Sequence, residues 1–176
     1  MHLYIKPENQ ENILEIEKVV IAAFGGSAEA KLIKTIGKSS NFIPELSLVA
    51  VEKEKILGHI LFSPIVIENE TKSTISKISA LALAPLAVIP ARQKQVIGSE
   101  LVRLGLTKCR DLNYNIVVVI GHPEYYPRFG FQTAKKFGIA APFPVPDEAF
   151  MLLELQPDVL MGISGIVKYP AYFNEV

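Results

Sequence analysis

Cysteine occurs once in the 176 residues, at Cys109, so neither an intrachain disulfide nor a cysteine-cluster metal site can form. A reducing, cytoplasmic compartment is the expectation that follows. Charge of one sign is missing as well: eighteen lysines and arginines face eighteen aspartates and glutamates, for zero formal net charge. Without a net positive field nothing draws the chain onto nucleic acid or anionic lipid, and a nucleic-acid partner is disfavoured. The richest apolar stretch, Ile78 to Ala91, falls short of the roughly 20 residues that span a bilayer and contains Pro85 and Pro90. No membrane partner is expected. The opening Met1-His2-Leu3-Tyr4-Ile5-Lys6 carries no basic segment leading into an apolar one, so no secretory signal is read there.

What is present is core-forming material. Hydrophobic residues make up 49% and charged residues only 20% of the chain, which excludes disorder as the ground state. The length suits one domain over residues 1–176, or at most two small ones, since single cores grow to about 100–200 residues. No repeat, low-complexity tract or shift of composition divides it.

Along the chain the periodicity alternates between helix and strand. Leu3 to Ile5 reads as a strand stopped by Pro7. Glu8 to Phe24 places Ile13, Ile16, Val20 and Phe24 on one helical face, and Gly25-Gly26 ends it. A weaker helix covers Ala28 to Ile36, followed by a loop at Gly37 to Asn41. Leu48 to Val51 and Ile56 to Ile67 form a hairpin around the charged, solvated turn Glu52-Lys53-Glu54-Lys55; Asn69 to Ser73 makes the next turn, and Ile75 to Ile89 the third strand. Ile97 to Leu112 is the strongest helix, with Leu101, Val102, Gly105, Leu106, Cys109 and Leu112 as its apolar stripe and Asn113 as its stop. The β-branched run Ile116 to Ile120, within a strand starting at Asn115, has the signature of a buried parallel strand reached through that helix. Strands around Phe150–Leu155 and Gly165–Tyr169 close the chain. The expected fold class is α/β (α+β): a twisted, mixed, mostly antiparallel sheet with one splayed parallel strand pair and helices on both faces.

The junction between the third strand and the strongest helix carries the chemistry. Helix N-termini present unpaired N–H groups and a partial positive charge, so Arg92 to Ser99 reads either as an ordinary strand-to-helix turn or as an anion site with Arg92 and Lys94 as counter-charges. Pro85 cannot donate to a sheet ladder, and a proline in a central strand marks broken pairing. Backbone groups of Leu86, Ala87 and Val88 are then free to pair with an amide-bearing ligand laid alongside as a pseudo-strand. A ligand with amides at one end and phosphates at the other is coenzyme A.

The turn reads Gln93-Lys94-Gln95-Val96-Ile97-Gly98, which resembles the Gln/Arg-x-x-Gly-x-Gly/Ala pyrophosphate motif of the GNAT acyl-CoA N-acyltransferases. Three further segments resemble the YhbS-like branch of that superfamily. They are Pro85-Leu86-Ala87-Val88-x-Pro90, Gly121-His122-Pro123-Glu124-Tyr125-Tyr126-Pro127-Arg128-Phe129-Gly130-Phe131, and the stretch from Pro142-Phe143 through Met151. The resemblance implies a single GNAT-like domain that moves an acetyl group from acetyl-CoA, a co-substrate, to an amine by direct attack, with no metal. It implies Gln93, Lys94, Gln95, Val96, Ile97, Gly98 and Ser99 on the pyrophosphate, and Leu86, Ala87 and Val88 along the pantetheine. The acetyl carbonyl then lies near the Leu86 N–H, and Tyr126 protonates the departing thiolate.

For the base, no acidic residue occurs between Ile75 and Ala91, so the resemblance leaves either water relayed by backbone groups or His122, beside Glu124, taking the amine proton directly or through water. Packing alternatives stand beside both residues: an aromatic cluster of Tyr125, Tyr126, Phe129 and Phe131, and a histidine that caps the following turn. His2 and His59 are read as structural. Val96 departs from the family's first glycine, and the expectation is a turn with negative φ there and weaker grip on the pyrophosphate. An amine pocket is expected from Phe24–Asn41 and Gly138–Asp147, and a homodimer through an exposed edge at Gly165–Tyr169. The alternative function is a non-catalytic coenzyme A or small-ligand sensor. A Walker-type nucleotide loop is excluded, since no Gly-Lys-Ser/Thr follows a glycine-rich turn.

Overall fold

A computed structural model describes residues 2–71 and 74–175. Met1, and Lys72-Ser73 of the expected second turn, lie outside the described residues. Three helices form, α1 (Ile13–Phe24), α2 (Ala28–Gly37) and α3 (Ile97–Asp111). The strands are β1 (Leu3–Pro7), β2 (Ser47–Glu52), β3 (Lys55–Thr71), β4 (Thr74–Val88), β5 (Ile116–Ile120), β6 (Gln132–Thr133), β7 (Ile139–Ala140), β8 (Phe150–Glu154) and β9 (Gly165–Lys168). The chain divides into two compact units. The first comprises the residues up to Ser63, Leu83–Cys109 and those from Ala171; the second comprises Pro64–Ala82 and Arg110–Pro170. β3 and β4 run through both.

In the first unit β1 pairs antiparallel with β2, Leu3 opposite Glu52 and Pro7 opposite Leu48. β2 pairs antiparallel with β3, with a shift of register between Ala50 and Val51. The first helix begins later than the periodicity predicts. Asn9 caps a single tight turn at Gln10–Asn12, its side chain taking the Glu11 N–H while the Asn12 side chain takes the Asn9 N–H, and α1 proper starts at Ile13. Only Ile16, Val19 and Val20 of α1 are buried, packed with Val49, Val51, Ile56 and Ala87. Ile13 and Phe24, expected on that face, are exposed because they lie at the helix ends. Gly25 stops the helix in the left-handed region at φ 74°, a conformation that spares only glycine its steric cost. Leu32 and Ile36 of α2 pack with Leu61, and Phe42, Tyr172 and Phe173 close over them.

Successive residues of a strand point to opposite faces. Leu61 meets α2, whereas the neighbouring Phe62 lies against Gly105 of α3, so helices cover both faces of β3. A Cβ at Gly105 would stand 2.4 Å from the Phe62 ring, which explains a glycine inside the strongest helix. Leu101, Val102, Leu106 and Cys109 are buried beside it, while Leu112, counted with that stripe in the sequence, falls past the helix end and is exposed. Asn113 ends the helix at φ 67°.

In the second unit β5 is buried at Ile116 to Val119 and pairs parallel with β4 through Leu81↔Val117 and Ala82↔Val118. The ladder consists of these two rungs. Antiparallel to β5 lies β8, from Ile116↔Glu154 to Ile120↔Phe150, and β6 pairs with β8. β9 corrects an expectation: it is no open edge, since Val66 to Glu68 of β3 pair along it antiparallel and β7 pairs with it in parallel. Among the described residues no helix is long and apolar enough to cross a membrane.

Gly105→Ala is expected to lower stability by about 1–2 kcal/mol in chemical denaturation. Overpacking against a fully buried ring, about 1–3 kcal/mol, outweighs the gain in helix propensity of about 1 kcal/mol. Phe62→Leu in the same chain is expected to restore part of the loss.

Candidate functional site

The β4-to-α3 junction is shaped by side chains that reach back into the first unit. After β4 a tight turn at Pro90–Arg92 leads to Gln93, which is extended, and to Lys94 at φ 60°. The Arg92 guanidinium donates to both carboxylate oxygens of Glu52, at 2.7 and 3.4 Å, and its Nε donates to the Gln95 side-chain oxygen at 2.9 Å. This bond holds the Glu52 carboxyl below its usual range. Arg92 therefore fixes the turn and is not a spare counter-charge, and Glu52 is no idle loop carboxylate. Gln93 donates its side-chain amide to the Val88 carbonyl at 2.9 Å, so one backbone acceptor at the end of β4 is occupied from within.

The first backbone bond of α3 runs from the Glu100 N–H to the Val96 carbonyl, 2.9 Å, leaving the amides of Ile97 and Gly98 ahead of the helical ladder. Val96 has no positive φ. The left-handed residue is Lys94, and the Val96 side chain is 64% exposed. Ser99 and Ile97 are buried; Gln93, Lys94 and Gln95 are exposed. On β4 the Ala84–Pro85 bond is cis, Ala87 is buried, and Leu86 and Val88 are half-buried.

The loop after β5, in the second unit, is an aromatic nest. The carbonyl of the exposed His122 accepts the N–H groups of Tyr125 and Tyr126, at 3.1 and 3.4 Å, and so starts the helical turn Tyr126–Phe129. Tyr126 is buried, edge-on to Tyr125 (5.1 Å between centroids) and Phe131 (5.6 Å). Its ring lies over Gly121, where a Cβ would stand 2.4 Å away. Burial, with the neighbouring Tyr125 adding, pushes the Tyr126 phenol well above its ordinary value near 10, so it stays protonated. The packed cluster and a proton donor are here one arrangement.

A polar chain in the first unit escaped the sequence reading. Ser47, the first residue of β2, and His59 of β3 are fully buried, with Ser47 Oγ 2.9 Å from His59 Nε2 and bonded on its other side to Glu8 Oε1. His59 Nδ1 has no partner. Burial drops the His59 pKa to about 3, and burial also raises that of Glu8, partly offset by the Ser47 hydroxyl. The signal in the sequence was faint: one histidine in an apolar strand. Each unit also holds a cavity built partly from the stretches expected to form an amine pocket. One, of about 330 Å³, is lined by residues of 8–17 and 30–42, and the other, of about 340 Å³, by residues of 135–150. Among the described residues no group of three metal-ligating side chains occurs.

A central strand that ends in a helix-opening turn rich in amide donors, then a helix, a parallel strand and an aromatic Tyr-Tyr loop, define the architecture of an acyl-CoA N-acyltransferase. No family model matches the chain. Individual proteins do: the uncharacterized N-acetyltransferase YjhQ of Escherichia coli K12 is 36% identical over 167 residues, 92% of this chain and 90% of its own. The uncharacterized N-acetyltransferase YhbS of the same strain is 32% identical over 161 residues, 91% of this chain and 92% of its own. Crystal structures agree. The E. coli GNAT family N-acetyltransferase YhbS in complex with CoA superposes with a TM-score of 0.88 at 28% identity, over 99% of this chain and 93% of that one. A GNAT family acetyltransferase of Brucella melitensis in complex with acetyl-CoA gives 0.77 at 31%, over 98% of each. The chain belongs to the GNAT family of N-acetyltransferases.

Two outcomes follow from the geometry. Lys94→Gly is expected to raise stability by up to about 1 kcal/mol in denaturant titration, as relief of a left-handed residue exceeds glycine's entropic cost. For His59 the folded pKa lies below the unfolded one. Its contribution is therefore complete above about pH 6.5 and is lost as pH falls toward 3. Between about pH 3 and pH 6.5 the slope of stability against pH is expected to be shallower by about one proton, ~1.4 kcal/mol per unit, in His59→Gln.

Proposed function

We propose that the protein transfers an acetyl group from acetyl-CoA to an amine in a ternary complex, without an acyl-enzyme. The observation that carries this reading is the turn before α3: amide donors of Ile97 and Gly98 ahead of the ladder, Lys94 exposed beside them, and Arg92 and Gln93 tied back to Glu52 and Val88. Relatives solved with CoA and acetyl-CoA share the fold over nearly their whole length.

In this reading the pyrophosphate sits on the amides of residues 95–99, with Gln93 as the residue that anchors the turn to β4. The pantetheine runs along the backbone of Leu86, Ala87 and Val88, the Val88 carbonyl excepted because Gln93 occupies it, and the Leu86 region polarises the acetyl carbonyl. The two-rung parallel ladder supports it, because backbone groups past Ala82 and Val118 are not committed to that pairing. The amine nitrogen forms the C–N bond, the C–S bond breaks, and Tyr126 donates to the sulfur. A phenol raised by burial gives up its proton only to a thiolate that burial has made basic as well; short of that it stabilises the thiolate through a hydrogen bond. His122, exposed, takes the amine proton directly or through water. The acceptor is the amine of a small molecule or a protein amino group; a second reading, a non-catalytic coenzyme A sensor, draws on Val96 in place of the family's glycine.

Thiol release from acetyl-CoA against a panel of amines separates the two. Tyr126→Phe is expected to lower turnover about 10²-fold or more while leaving coenzyme A binding within a factor of two. Binding without turnover on any amine supports the sensor. Val96→Gly is expected to tighten coenzyme A binding several-fold by calorimetry, and unchanged affinity removes the idea that this side chain weakens the grip.

A further inference from the structure

The cavity of the first unit has one inner charge. Ile13, Ile33 and Phe42 give it apolar walls. Its lysines, Lys34 and Lys38, are exposed, and Lys34 pairs with Glu17 at 3.8 Å, whereas the Glu8 side chain is only 11% exposed. We propose that this cavity takes the acceptor of the transferase, a primary amine on an apolar body, with the ammonium held on the carboxylate of Glu8. The assignment of this ligand as acceptor rests on the acetyltransferase reading above.

The orientation of Glu8 is built from behind. With the proton on Nε2, His59 donates to Ser47 Oγ, and the Ser47 hydroxyl has one hydrogen left, which goes to Glu8 Oε1. The other tautomer would bury an N–H at Nδ1 without an acceptor, the costlier orphan. The Glu8 N–H is fixed too, on the Ser47 carbonyl at 2.9 Å. Glu8 Oε1 is thus occupied, and Oε2 accepts no hydrogen bond from the described residues. A carboxylate taken largely out of water, with one oxygen unbonded at the wall of an apolar cavity, is complementary to a cation that brings its own donors. His59 cannot compete for that role, since burial keeps it neutral.

Register ties the cavity to the acetyl end of β4 within the same unit. The Leu57 carbonyl takes the Ile89 N–H at 2.9 Å, and the Ala87 carbonyl lies 3.0 Å from where a Cβ of Gly58 would be. His59 therefore lies on the part of β3 that runs beside the last residues of β4. The relay stands next to the strand on which the thioester is proposed to lie.

Calorimetry without acetyl-CoA tests the site, with 2-phenylethylamine as probe and 2-phenylethanol as its neutral isostere. The amine is expected to bind at least tenfold more tightly than the alcohol, and Glu8→Gln, which keeps the shape, to abolish that preference. Equal binding of the two probes, or an unchanged preference in Glu8→Gln, overturns the proposal. Ile33→Trp fills the cavity without touching Glu8 and is expected to weaken amine binding tenfold or more with an intact thermal transition; undiminished binding likewise overturns it. Turnover is read separately: with acetyl-CoA present, the KM for the amine is expected to rise about tenfold in Glu8→Gln. Glu8-dependent binding with acetylation of other amines only overturns the acceptor assignment. Glu8-dependent binding with no acetylation of any amine overturns the transferase reading and supports the ammonium site.

Discussion

The pair Arg92–Glu52 is the tie on which the candidate cofactor site depends. A helix N-terminus offers donors only if the chain leading into it is held away from them, and a turn of exposed residues has no core to hold it. Here two side chains supply the hold. Arg92 bridges to the end of β2 and to Gln95, and Gln93 fastens to the carbonyl of Val88. The turn is thereby anchored to the two strands that flank it in the first unit. It pays with one basic residue, since the guanidinium that looks from the sequence like a phosphate ligand is consumed in positioning, and Lys94 is the exposed cation that the turn keeps for the proposed pyrophosphate.

The same division between holding and reacting recurs elsewhere. In the second unit the His122 carbonyl and the Gly121 surface set the Tyr126 ring, while the phenol itself carries the proposed chemistry. In the first, His59 and Ser47 set Glu8. In each place a buried or bonded partner removes the rotameric freedom of the group proposed to meet the ligand, which is what preorganisation requires.

The helices and strands were legible where periodicity was strong and long. α3, the β-branched β5 and the β2–β3 hairpin stand where the residues put them. The helix ends were less so: Ile13, Phe24 and Leu112 carry the right period, but a stripe read by spacing does not say where the last turn stops. The short strands β6 and β7, two residues each, have too few side chains to show any period, and their partners are distant in sequence. The site divides similarly. The turn motif and the tyrosine loop are local strings and could be quoted directly. The engagement of Arg92 with Glu52 spans forty positions, and Glu8, Ser47 and His59 come from three separate segments, so only the folded sheet brings them together. Val96 stands outside the left-handed region as expected, and the left-handed residue of the turn is two positions earlier, at Lys94, which no local motif marked.

The contact of the Tyr126 ring with Gly121 has an evolutionary side. Because no side chain fits beneath the ring, positions 121 and 126 cannot drift independently: a larger residue at the first demands a smaller or relocated ring at the second. Losing the hydroxyl alone frees nothing, because ring carbons make the contact; bulk at 121 becomes possible only where the ring itself is gone or relocated.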